Sequence, residues 1–149
     1  MKIIGFTGTS QGMTERQRAT LAVLLRSYYP ARLHHGCCIG ADAQAHDVAH
    51  EIGIPCTLHP PDDDKAIAIL GAVPGDIVWD AKPYLDRNMD IARACDVLIA
   101  TPKTFLEQIR SGTWTTVRYA KKMNRHVTII FPDGSTSDQS VQGPRGNVR

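Results

Sequence analysis

The sequence predicts an α/β domain of Rossmann-like type: a mostly parallel sheet of five strands, or slightly more, with helices on both faces. Three observations carry this. Short apolar runs alternate with stretches of helical spacing along the 149-residue chain, the pattern of successive βαβ units. Glycine-rich turns follow the first two runs and open helices. The length fits one domain, which can bury about two-thirds of its unfolded surface without staples. Residues 1–134 are read as that domain, and 135–149 as a flexible tail poor in bulky apolar residues.

The elements follow in order. Ile3, Ile4 and Phe6 form a short apolar run ending at Gly8, as expected of a strand covered on both faces. Residues 14–29 are helical, with Leu21, Leu24, Leu25 and Tyr28 on one face, Thr14 as N-cap, Gln17 as a partial capping box, and Pro30 as the stop. Residues 32–35 are a second strand, and 41–52 an alanine-rich helix closed by Gly53. Residues 54–58 are a third strand. Residues 59–82 are an irregular insert with a short helix over 65–72. A helix over 83–94 begins at Pro83. Residues 96–100 and 127–131 are the last two strands, with a loop over 101–110 and a helix over 112–123 between them.

Composition narrows the function. Net charge is +2, from 17 basic and 15 acidic residues, too balanced to argue by itself for nucleic acid or an anionic membrane. No stretch reaches the roughly 18 apolar residues that span a bilayer. The opening residues carry only a brief apolar run, so no secretory signal is expected. Cys37, Cys38, Cys56 and Cys95 lie in or beside apolar runs without a CxxC pair and are read as reduced, buried thiols, which points to the cytoplasm.

Ligands of parallel sheets bind beyond the carboxyl ends of the strands. Candidate ligand-binding residues therefore come from the turns there. The first turn supplies Gly8, Thr9, Ser10 and Gly12, where glycine lets backbone N–H groups approach an anion and the helix N-terminus adds positive potential. The second supplies Gly36, Gly40, Ala41 and Asp42; Asp42 either caps the helix or accepts from a ribose hydroxyl. The third supplies Thr101, Ser111, Gly112, Thr113 and Thr115, whose hydroxyls can donate to phosphate oxygens. Trp114 is assigned to the core.

Five segments resemble the SLOG superfamily, which includes DprA, the lonely-guy-type phosphoribohydrolases and proteins once described as lysine decarboxylases. They are Gly5-x-Thr7-Gly8 with Gly12, Gly36-x-x-x-Gly40-Ala41-Asp42-Ala43, Tyr84-x-x-Arg87-Asn88-x-x-Ile91, Cys95-Asp96-Val97-Leu98-Ile99-Ala100, and Ser111-Gly112-Thr113-Trp114-x-Thr116-x-x-Tyr119-Ala120. Together they run from residue 3 to about 131. The resemblance implies a nucleotide phosphate at Ser111, Gly112, Thr113 and Thr115, with Arg87 and Asn88 beside the nucleotide and Arg87 as the candidate catalytic residue. It also implies a homo-oligomer.

Departures decide between activities. The phosphoribohydrolases carry Pro-Gly-Gly-x-Gly-Thr-x-x-Glu, and Thr116 stands at the glutamate position, where it supplies no carboxylate. Arg110-Ser111 replaces the double glycine, and Asn88 replaces a lysine. The leading expectation is a nucleotide-binding module, a sensor or carrier. An N-glycosidase of nucleoside monophosphates using a carboxylate from residues 59–86 is the alternative, and DprA-like single-stranded nucleic-acid binding a third. No cofactor is required, although Mg²⁺ could accompany a bound nucleotide at Asp62-Asp63-Asp64. His46 and His50 are spaced i, i+4 as in a zinc helix, but a third ligand would have to come from Glu51 or His59; two partly exposed histidines are the preferred reading, with no metal site.

Overall fold

A computed structural model describes residues 1–139. Its elements are β1 (Lys2–Gly8), α1 (Glu15–Tyr28), β2 (Ala31–His35), α2 (Ala41–Ile52), β3 (Cys56–Leu58), β4 (Ile77–Val78), α3 (Tyr84–Ala94), β5 (Val97–Thr101), α4 (Gly112–Lys122), β6 (His126–Ile130) and β7 (Thr136–Gln139). One seven-stranded sheet has the order β4-β3-β2-β1-β5-β6-β7. All neighbours pair parallel except β6 and β7. The predicted Rossmann-like α/β class is the class observed.

Central strands read as continuous apolar runs because helices cover both faces. Ile4, Phe6 and Leu33 pack with Leu21 and Leu25 of α1 and Ala45 and Ala49 of α2 in one core layer. Leu98, Val127 and Ile129 pack with Ile91 of α3 and Trp114 and Val117 of α4 in the other. Thr14 and Gln17 form a complete capping box at α1, and Gln17 Nε2 reaches on to the carbonyls of Pro102 and Ile130. The first helix is thereby tied to the carboxyl end of the sheet.

Three expectations change. Residues 65–72 form no helix. Ile67 bridges Cys38 in antiparallel fashion, with Ile39 N–H donating to Ala66 O and Ala68 N–H to Cys37 O, so tertiary pairing overrides local helical preference. The insert also contributes β4. Within the expected tail, Thr136–Gln139 reverses the chain and pairs along β6; residues 140–149 lie outside the described residues. All four cysteines are free, three of them buried and Cys38 half-buried. Among the described residues no helix is long and apolar enough to cross a membrane.

Candidate functional site

Strand order reverses at β1. From β1 the chain builds outward through β2 and β3, then returns to place β5 on the opposite side. Loops leaving β1 and β5 therefore diverge, and a crevice opens between them. Here it is a cleft of about 210 Å³ lined by Thr9, Ser10, Gln11, Lys103, Thr104, Gln108, Arg110, Ser111, Gly112, Thr113 and Trp114. The lining holds hydroxyls, amides and two cations, and none of these residues is a carboxylate.

The N-terminus of α4 forms one wall. Ser111 caps it, its Oγ accepting from Trp114 N–H at 3.2 Å. The N–H groups of Gly112 and Thr113 have no acceptor among the described residues. A Cβ placed on Gly112 would meet no atom within 4 Å, so the backbone there faces open space. Uncompensated N–H groups, the helix dipole, Lys103 and Arg110 all favour an anion at this position.

The β1 loop forms the facing wall, but most of its donors are taken up. Thr9 N–H donates to Thr101 O, Gln11 N–H to Thr9 Oγ1, Gly12 N–H to Thr9 O, and Met13 N–H to Gln44 Oε1. What it offers the cleft is the Thr9 edge and the exposed Ser10 and Gln11.

The second turn, at α2, is closed. Ala41 N–H donates to Thr9 O, and Gly40, at φ +106°, lies so close that a Cβ would sit 2.3 Å from Ser10 O. Cys37 N–H donates to His35 Nδ1, Cys38 N–H to Asp42 Oδ2, and Ile39 N–H to the insert. Arg87 fills the space beneath. It is 6% exposed and donates to the carbonyls of Gly36 and His59 and toward Cys38 Sγ. A Cβ on Gly36 would collide with both the Arg87 guanidinium and Asp42 Oδ2, which is why glycine stands there. Burial pushes the Asp42 carboxyl up to about 6, against the opposing pull of Arg87.

No protein-family model matches the chain, and no curated protein matches it in sequence. Solved structures do match its fold. The molybdenum cofactor binding protein of the phototrophic bacterium Rippkaea orientalis aligns at 22% identity and TM-score 0.67, over 87% of this chain and 76% of its own. The molybdenum cofactor carrier protein of Chlamydomonas reinhardtii aligns at 24% and 0.61, over 86% and 75%. DNA processing protein A of Helicobacter pylori, a single-stranded DNA binder, aligns at 16% and 0.60, over 86% and 64%. The chain shares the Rossmann-like fold of these proteins.

Within this fold the sequence candidates divide. Thr9, Ser10, Ser111, Gly112 and Thr113 meet at the cleft. Gly36, Asp42 and Arg87 form the closed cluster, with Gly40 and Ala41 joining it to the first loop. Gly8 and Thr101 lie side by side under the cleft, and Thr101 Oγ1 is buried without a partner among the described residues. Gly12 turns the chain into α1, Asn88 is buried on α3, and Thr115 Oγ1 accepts from Arg118 instead of facing the cleft. Thr116, at the position of the family's glutamate, is fully buried and donates to Gly112 O. Of the aspartate triplet, Asp63 accepts from Tyr84 OH and Lys65 N–H, and none of the three lines the cleft. Sequence reasoning missed Gln11, Lys103, Thr104, Gln108 and Arg110 as lining residues. Their signal was position alone, since both loops flank the reversal in strand order.

Proposed function

We propose that this chain is a binding protein, a sensor or carrier, which holds a phosphate-bearing small molecule of the nucleotide class by its anionic end at the N-terminus of α4. The observation carrying this reading is the cleft lining: two N–H groups without an acceptor among the described residues, several hydroxyls, Lys103 and Arg110, with no carboxylate among them. Such a surface stabilises an anion but offers no carboxylate or imidazole as general acid or base for breaking a glycosidic bond. Arg87, the candidate catalytic residue, is tied to two carbonyls and acts here by holding the second turn. Two of the similar folds belong to proteins that bind or carry the molybdenum cofactor, which supports a carrier role over a catalytic one. Mg²⁺ has no evident ligand set at the cleft, so any such ion would enter with the ligand.

The test is a thermal-shift panel of nucleoside mono-, di- and triphosphates, with chromatography of the recovered ligand. Binding to the folded state alone raises Tm by mass action and leaves the ligand intact. Release of free base would establish the hydrolase instead. Absence of any shift at millimolar nucleotide would remove the proposal. Affinity for single-stranded DNA falling steeply with salt would favour the nucleic-acid reading.

A further inference from the structure

Away from the cleft, α2 meets the insert through histidines. His46 and His50 project from successive turns, with ring centroids 4.0 Å apart. His50 Nε2 lies 3.0 Å from Asp76 Oδ2, and His46 Nε2 lies 2.5 Å from Gly71 O. One ligand atom from each of His46, His50 and Asp76 falls within 4.8 Å of the other two. Expected as a partly exposed pair, the histidines differ: His46 is buried and His50 is half-buried. The third group is neither Glu51 nor His59 but Asp76, twenty-six residues beyond His50.

We infer that His46, His50 and Asp76 form a binding site for a zinc-class divalent ion, with the Gly71 carbonyl or water in the fourth position. Two imidazoles and a carboxylate are an ordinary zinc donor set, and tetrahedral bonds of about 2.0–2.2 Å place such donors roughly 3.4 Å apart. Asp76 is already oriented for the role, because Cys56 N–H donates to Oδ1 and Val73 N–H to Oδ2. The ion would clasp the insert to α2.

A second grouping, His35, His46 and Cys56, shares one histidine but is fully buried. An ion there would need a thiolate inside the core, whereas His50 and Asp76 lie between helix and insert with 15% and 6% of their side chains exposed.

Occupancy has a distinctive consequence. In the metal-free chain the tautomers are fixed. Gly71 O only accepts, so His46 Nε2 carries a proton and His46 Nδ1 accepts from His35 Nε2–H, 2.9 Å away. His35 Nδ1 in turn accepts from Cys37 N–H at 3.0 Å. An ion at His46 Nε2 displaces that proton. The shared proton then moves from His35 Nε2 to His46 Nδ1, and the displaced one ends on His35 Nδ1. Cys37 N–H loses its acceptor, in the turn that also holds Asp42 and Arg87.

The full chain, stripped with chelator, is titrated with Co²⁺ and Zn²⁺ alone. The expected result is one ion per chain, tetrahedral cobalt bands in the visible, and a long-range ¹H–¹⁵N spectrum in which the His46 proton moves from Nε2 to Nδ1 as the Cys37 amide shifts. His50→Gln and Asp76→Asn should each weaken binding at least tenfold, and His126→Gln should not. His50→Gln is the decisive variant, because the only side-chain hydrogen-bond partner of His50 among the described residues is Asp76 and circular dichroism can verify its fold. No bound ion, binding unchanged by His50→Gln, or a thiolate charge-transfer band lost in Cys56→Ser would each overturn the assignment. The outcome does not depend on what fills the cleft.

Discussion

The two helix N-termini at the carboxyl edge of the sheet, those of α2 and α4, begin from similar sequence and end in opposite states. Both follow a strand and carry glycine with small polar residues. At α2 the N–H groups of Cys37, Cys38, Ile39 and Ala41 find acceptors inside the protein, and Arg87 fills what space remains. At α4 the N–H groups of Gly112 and Thr113 have none among the described residues. Composition makes a turn able to bind an anion; whether it does so depends on what else in the fold reaches those donors first.

The comparison is broken most forcefully at Gly40. Gly40→Val places a Cβ against Ser10 O at a positive φ, and a loss of more than about 4 kcal/mol, or failure to fold, is expected in urea denaturation. Arg87→Met comes next. It leaves the Gly36 and His59 carbonyls without their donor and Asp42 without its cation, at a cost of about 3–5 kcal/mol, while ligand affinity at the cleft persists. The double variant Arg87→Met/Asp42→Asn should recover part of that loss.

Acid sharpens the contrast by loosening the closed end. His34 Nδ1 and His59 Nε2 are 2.8 Å apart beside that end. Burial lowers both imidazoles to about 4, helped by Arg32 at His34 and by His34, Arg87 and Lys82 at His59, with Asp90 opposing. The unfolded chain takes up these protons near the ordinary value of 6.5, while the folded one does not until about 4. Their contribution is therefore fully present above 6.5 and lost as pH falls toward 4. Asp42, raised to about 6, works the other way over part of this range, but one group opposes three, since burial also holds His35 well below the ordinary imidazole value. Tm should fall between pH 6.5 and 4, with hydrogen exchange rising first around residues 34–42 and 59.

Ser111→Ala removes a cap and should cost about 1 kcal/mol of stability together with most ligand-induced shift in Tm. Gly112→Ala is the smallest change, within about 0.5 kcal/mol, because its Cβ meets nothing. It nonetheless occupies the space proposed for the anion, so binding should fall while stability holds.

The main frame of the fold was legible. The five strand candidates became strands and four helical stretches became helices; four of the strands show as apolar runs because both faces are buried, and the second, Ala-Arg-Leu-His-His, shows mainly by its place before the glycine turn. β4 and β7 were not. Ile77–Val78 is too short to show a period, and Thr-Ser-Asp-Gln contains no apolar residue, because an edge strand pairing through its backbone has little need of one. At the site, the turns were legible and the fate of their donors was not. That Ala66 and Ala68 would bond the second turn, or Arg87 fill it from a helix fifty-one residues away, depends on tertiary packing that no local pattern records. The i, i+4 histidines were visible, but their carboxylate partner lay in an insert without periodicity.

The reversed strand β7 fixes how the molecule can be held. Val127 pairs with Gln139 at the start of β6, and Lys2 begins the parallel β1, so residues 2 and 139 both sit at the amino edge of the sheet. The cleft opens at the other edge. Anchored to a surface or fused to a carrier near either of those residues, the molecule would stand with its cleft facing outward, open to whatever passes in solution.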